Sequence, residues 1–112
     1  MAKRRAEIAM TEKEQRAFLE EAVAAGRTVT FASVDPNGYP HLVAMWTVLK
    51  DGLLHFTGYR KSQKILNLKR DPKITCMIEM GDTYEQVRGL VIQGQAEIVE
   101  DPELSKELMM VI

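Results

Sequence analysis

Apolar and polar positions along the chain change period from segment to segment, and each change marks an element. Thr11-Glu-Lys-Glu14 has the residues of a capping box, and Phe18, Leu19, Ala22 and Val23 then fall on one helical face. Gly26 is placed to stop that helix. Its apolar stripe is narrow, so it is expected to pack on a sheet. From Arg27 the period shortens. Thr28 to Val34 is β-branched and aromatic, and Asp35-Pro-Asn-Gly38 is a turn with Pro second and Gly closing it. Tyr39 to Leu49 reads as a second strand, and Lys50-Asp-Gly52 turns into a third, Leu53 to Tyr59. A short helix opens at Ser62 and ends before Asp71-Pro72. Lys73 to Met80 reads as a fourth strand and Val87 to Val99 as a fifth, with Gly89 and Gly94 marking bends or bulges. Asp101-Pro-Glu103 has an N-cap followed by Pro, which predicts a last helix running into Met109-Met-Val-Ile112.

Two hairpins in succession, then two more bent strands, predict a mainly β fold with flanking helices: a small antiparallel barrel, since an open five-stranded sheet would leave edges exposed. Residues 1–10 read as a loose arm and 11–112 as one domain. At 112 residues there is enough chain for one core and not for two. The uncapped apolar end implies a truncated C-terminal part, or an end buried against another copy.

Composition narrows the function classes. With 46% apolar and 28% charged residues the balance is that of an ordinary soluble globular protein. A net charge of −1 provides no global field for nucleic acid or an anionic membrane. No run approaches the length of a membrane span, and no apolar stretch follows the basic Met-Ala-Lys-Arg-Arg start, so a cytoplasmic protein is expected. The basic charge is uneven, however. Arg60, Lys61, Lys64, Lys69, Arg70 and Lys73 cluster around the short helix, against Asp71 alone. A helix N-terminus offers unpaired N–H groups and a positive dipole end, so lysines there make an anion site.

Hydrolytic constellations come up short. His41 and His55 are not opposed across the Lys50-Asp-Gly52 turn, and they read as strand-surface or interface residues. No ligand cluster with metal spacing is present. Ser33, Ser62 and Ser105 lack a nucleophile elbow. Cys76, the lone cysteine, lies mid-strand between Ile74 and Ile78 and reads as an inert buried thiol. With no acid–base set in view, chemistry shifts to a bound cofactor that the protein holds and orients. A phosphorylated ring fits, its phosphate at the 62–70 helix and its ring near Met45, Trp46, Thr47 and Phe56.

At this point the chain resembles a known family. Asp35-Pro-Asn-Gly-x-Pro-His41, Ser62-Gln-Lys-x-x-Asn-Leu-x-Arg-Asp-Pro72 and Arg88-Gly-x-x-x-x-Gly-x-Ala-Glu97 are similar to the pyridoxamine 5′-phosphate oxidase-like split β-barrel superfamily. Within it the likeness is to the class B flavin/deazaflavin oxidoreductases. The resemblance runs from about Ile8 to Glu103. It implies a homodimer with the cofactor at the subunit interface, and a small-molecule substrate. It further implies that Lys64 holds a phosphate, with Lys61, Ser62 and Gln63 at the helix start, and that Thr57, Asn67 and Arg88 border the site. The Val43–Thr47 strand would line the ring. Gln63 stands where FMN-binding members often carry Arg, so coenzyme F420 is favoured over FMN.

The leading expectation is therefore an oxidoreductase transferring a hydride between F420, or FMN, and a small organic substrate. A non-catalytic flavin or deazaflavin carrier is the alternative. A third reading, a small barrel binding RNA or protein through residues 60–73, would require a salt-sensitive basic surface.

Overall fold

The computed structural model describes residues 10–101 and 106–111, and the expected N-terminal arm lies outside them apart from Met10. The capping box forms: Thr11 Oγ1 accepts from the Glu14 amide at 3.1 Å, and a Glu14 carboxylate oxygen accepts from the Thr11 amide at 3.3 Å. This satisfies two otherwise orphaned donors of α1 (Glu12–Ala24). Gly26 follows at φ +74°, a conformation that costs glycine little. Phe18 and Ala22 are the buried positions of α1.

The strands are β1 (Val29–Val34), β2 (Pro40–Met45), β3 (Val48–Lys50), β4 (Leu53–Gly58), β5 (Lys73–Met80), β6 (Arg88–Asp101) and β7 (Lys106–Val111). The second helix, α2 (Gln63–Arg70), falls between β4 and β5. The strand order is β2-β1-β5-β6-β7-β4-β3, and all pairings are antiparallel. The two ends of that order, β2 and β3, are separated by only Trp46 and Thr47. Three peptide steps span at most about 11 Å, so the sheet must curl until its edges nearly meet. That is a split barrel, as the sequence implied.

Both tight turns form as read. Asp35 Oδ1 accepts from the amides of Asn37 (2.9 Å) and Tyr39 (2.8 Å), which fixes the β1–β2 hairpin. Asp51 (φ +54°) and Gly52 (φ +76°) both take positive φ, the requirement of a type I′ hairpin turn.

Three expectations need correction. The strand foreseen over Tyr39–Leu49 breaks at Trp46-Thr47; its first part pairs with β1 and its second with β4. The helix foreseen after Asp101 is not formed over 106–111. Asp101 ends β6, and 106–111 is a strand whose backbone fills the gap between β4 and β6, so Met109–Val111 are ladder residues and not a bare helical end. Pro102–Ser105 and Ile112 lie outside the described residues. Finally, register runs unbroken through Gly89 and Gly94, so neither is a bulge. The partner change along β6, from β5 to β7, comes just after Gly94, between Gln95 and Ala96.

The core is built from both halves of the barrel: Val29, Phe31, Ile74, Cys76 and Ile78 on one side, Leu54 and Phe56 on the other, with Ile65 and Leu68 of α2. Phe31 and Phe56 meet edge-to-face, with ring centroids 5.1 Å apart. Cys76 is buried as expected, and desolvation pushes its thiol up to about 12. Such a thiol stays neutral and unreactive at physiological pH.

Gly81, after β5, adopts φ +109°, and a Cβ there would stand 2.3 Å from the Gln86 carbonyl oxygen. Backbone cannot yield as a side-chain tip can. Gly81→Ala is therefore expected to cost about 1–3 kcal/mol in backbone strain, read as a lowered denaturant midpoint. A midpoint equal to wild type would mean that residues 81–87 hold another conformation.

Candidate functional site

The α2 opening differs from that of α1 in a way the residues explain. Ser62 is the N-cap, yet its hydroxyl makes no capping bond to the first turn and donates instead to the Tyr59 carbonyl at 2.8 Å. No acid stands in the first turn of α2, whereas α1 has Glu12 and Glu14 there. The leading amides of α2 thus lack a side-chain cap, and the side chain that shares their turn is a cation, Lys64. Uncapped N–H groups beside an ammonium form an anion-receptive corner.

Lys64 is partly buried, and among the described residues no carboxylate pairs with it. Desolvation alone lowers its pKa below the ordinary lysine value of 10.5. A cation held partly out of water without a counter-charge is one that an anionic ligand would relieve. Lys61 is exposed on the loop before the helix.

Asn67 faces inward, and the exposed Gln63 is tied to it rather than free at the opening. Gln63 Nε2 donates to Asn67 Oδ1 at 2.7 Å, and Asn67 Nδ2 donates to Ser33 Oγ on β1 at 3.0 Å. Asn67 is fully buried and Ser33 nearly so. The pair Gln63/Asn67 has i,i+4 spacing, which places both on the α2 face that meets β1. Asn67 is thus a tie between helix and barrel wall. Neither motif nor spacing signalled Ser33, because its role depends on a contact across 34 positions. Its cross-strand partner His41 has a buried Nδ1 with no hydrogen-bond partner among the described residues. His55, by contrast, places Nδ1 3.0 Å from the Leu53 carbonyl.

The β2–β3 corner brings other expected residues beside β4. Thr47 Oγ1 donates to the His55 carbonyl at 2.9 Å, and Val48 is the register partner of His55. Thr57 lies exposed further along β4, one residue before Gly58 and the loop to α2. Met45 is partly buried against the core. Trp46 is 74% exposed, with its indole N–H fixed on the Gly26 carbonyl at 3.1 Å. Phe56 is a core residue at 1% exposure and faces Phe31, not solvent. Arg88 places its guanidinium carbon 5.4 Å from the centroid of the Phe18 ring, so within this chain it rests on α1. The structure therefore gathers Lys61, Ser62 and Lys64 at one opening, with Thr57 leading to it and Thr47 at the neighbouring corner. Arg88 is held elsewhere.

Among the described residues no group of His, Cys, Asp and Glu could hold a metal ion. None of the described helices is long and apolar enough to cross a membrane.

The chain is thus a split β-barrel whose second helix opens without a side-chain cap beside a cluster of basic residues. The chain belongs to the pyridoxamine 5′-phosphate oxidase family, whose model matches residues 11–111. It is similar to the conserved hypothetical protein Rv2991 from Mycobacterium tuberculosis, at 33% identity and a TM-score of 0.81, over 99% of this chain and 85% of that one. A solved F420 reductase is 25% identical, with a TM-score of 0.70 over 82% of this chain and 90% of its own. The heme storage protein HutZ from Vibrio cholerae shares the fold at 14% identity, with a TM-score of 0.69 over 85% and 87% of the two chains. No curated protein matches the chain.

Proposed function

We propose that this chain is an oxidoreductase that transfers a hydride between coenzyme F420, or FMN, and a small organic substrate, with F420 the favoured carrier. One observation carries the reading: the first turn of α2 has no side-chain cap, no acid, and a partly buried Lys64 with which no carboxylate among the described residues pairs. The similarity to an F420 reductase supports the choice of carrier. So does Gln63, which is neutral and whose amide is engaged with Asn67, leaving the opening one charge poorer than a Ser-Arg-Lys start would.

The residues present fit a phosphate-bearing ring. Lys64 and the leading amides of α2 would hold the anionic tail, with Lys61 and Ser62 at its rim. Met45, Trp46, Thr47 and Thr57 would border the ring, and Asn67 would keep α2 in place. When bound, the ring supplies the hydride chemistry; the chain binds it, orients it and screens it from water.

A homodimer with the site at its interface belongs to the same proposal. Leu42 (61% exposed), Met77 and Val91 stand on the outer face of β2, β5 and β6. Register aligns Ala44, Thr30, Met77 and Val91 in one row across four strands. Exposed Leu42, Met77 and Val91 on one sheet face, interleaved with Thr30 and Thr75, support a mixed apolar and polar interaction surface. Arg88, on the opposite face of β6 from Val91 and resting on Phe18, is not part of this surface.

Titrating the protein with F420 and with FMN, followed by fluorescence, tests the reading. Binding of F420 tighter than FMN, with turnover on a panel of enones or quinones, is the expected result. Tight binding without turnover on any acceptor would favour the carrier function. Affinity for neither ring, together with salt-sensitive RNA binding, would sink the proposal.

A further inference from the structure

We propose that Gly58 is a positioning residue: the space left by its missing side chain lets the Lys64 stem cross the end of β4 and thereby sets where the ammonium stands. The inference rests on the anion-holding reading of the α2 opening. Gly58 is buried and does not take a positive φ, so the backbone conformation does not call for glycine there. What calls for it is the neighbour. A Cβ at this position would lie 3.0 Å from Lys64 Cε, and 3.1 and 3.2 Å from Ile65 Cδ1 and Cγ1.

Which neighbour would yield follows from burial. Ile65 is fully buried in the core and cannot shift without disturbing Leu68 and the strands around it. Nor can α2 lift away, because Asn67 is tied to Ser33 and Arg70 to the Val34 carbonyl. The free-ended lysine stem is the part that gives most readily, by a few tenths of an ångström, while the two Ile65 contacts press on the core. A shift of that size in the stem would move the ammonium relative to the first turn of α2. The same contact explains why Lys64 is desolvated at all: its methylenes lie against backbone where another residue would have placed a side chain. The charged residues near this slot in sequence or register are Arg60 and Lys61, before the helix, and Glu107, the β7 register partner of Gly58.

A double-mutant cycle tests the idea, with F420 and FMN as the titrated ligands. Lys64→Ala should weaken binding by about five- to 150-fold, the loss of one charge-assisted contact, and Gly58→Ala should weaken it by a smaller factor. The double variant should bind no more weakly than Lys64→Ala, because Gly58 acts through that side chain. A further loss in the double variant, equal to that in wild type, would make Gly58 a packing residue and overturn the proposal. So would unchanged binding in Gly58→Ala.

An NMR titration of the ligand-free protein with ¹³C-labelled lysine keeps the two readings apart. In Gly58→Ala the Lys64 midpoint should rise toward the ordinary lysine range; a midpoint that stays put overturns the positioning role whatever the ligand data say. Unchanged binding in Lys64→Ala would instead remove the anion site, leaving the titration to judge Gly58. Should Gly58→Ala not fold, the wild-type protein decides, since Gly58 Hα and Lys64 Hε must show a nuclear Overhauser contact.

Discussion

Phe31→Ala is expected to cost about 3–5 kcal/mol, the range for deleting a buried phenylalanine side chain. The residue is fully buried on β1, flanked in register by Val43 and Cys76. What makes it costly is its reach across the barrel. Its ring meets Phe56 of β4 at 5.1 Å and 63°, and β1 and β4 belong to opposite halves of the strand order. Truncation therefore removes transfer energy, opens a cavity, and deletes an edge-to-face contact worth about 0.5–1.5 kcal/mol more. Against a net stability of about 5–15 kcal/mol for a protein of ordinary size, that is about a fifth or more of the total. Urea unfolding should show a much lower midpoint at similar slope, and Phe31→Leu should recover most of the loss. A cost below about 1 kcal/mol would mean that the two halves do not close on this pair.

The fold was legible where local chemistry decides the backbone. The Thr11/Glu14 box, the Asp35-Pro-Asn-Gly38 turn and the Asp51-Gly52 turn each carry their own hydrogen bonds or positive φ, so neighbours in sequence suffice to read them. Misreadings arose where a partner distant in sequence decides. Nothing in Met45-Trp-Thr-Val48 marks a corner, for no Gly or Pro interrupts a β-forming run. The chain breaks there because β2 and β3 pair with different strands. Likewise Lys106–Val111 is good helix-forming sequence, but β4 and β6 present unpaired ladder edges that only a strand can satisfy. Among the candidate residues, Lys64 stands out by its place at the start of a helix, a local signal. The tie of Gln63 to Asn67, and of buried Asn67 to Ser33, depends on packing and could not be read from spacing.

Lys64→Ala should raise the dissociation constant for the bound ring by about five- to 150-fold, equivalent to roughly 1–3 kcal/mol for one charge-assisted contact. The fold should tolerate the change, since no described carboxylate is left unpaired by it. The pH dependence gives a second, independent signature, and its sign separates the free protein from the complex. Burial lowers the Lys64 pKa from 10.5, so the fold disfavours the charged form. In the free protein this group's contribution to stability therefore grows as pH rises from its lowered pKa toward 10.5. Ligand binding works in the opposite direction. A bound phosphate favours the ammonium and raises its pKa, so affinity is full below the free-state pKa and falls as pH climbs through it. Wild type should accordingly lose affinity at a lower pH than an ordinary lysine would allow, and Lys64→Ala should lack that limb. Isothermal titration across the alkaline range measures both effects. Were the limb to survive the substitution unchanged, the titrating group would lie elsewhere and Lys64 would not hold the anion.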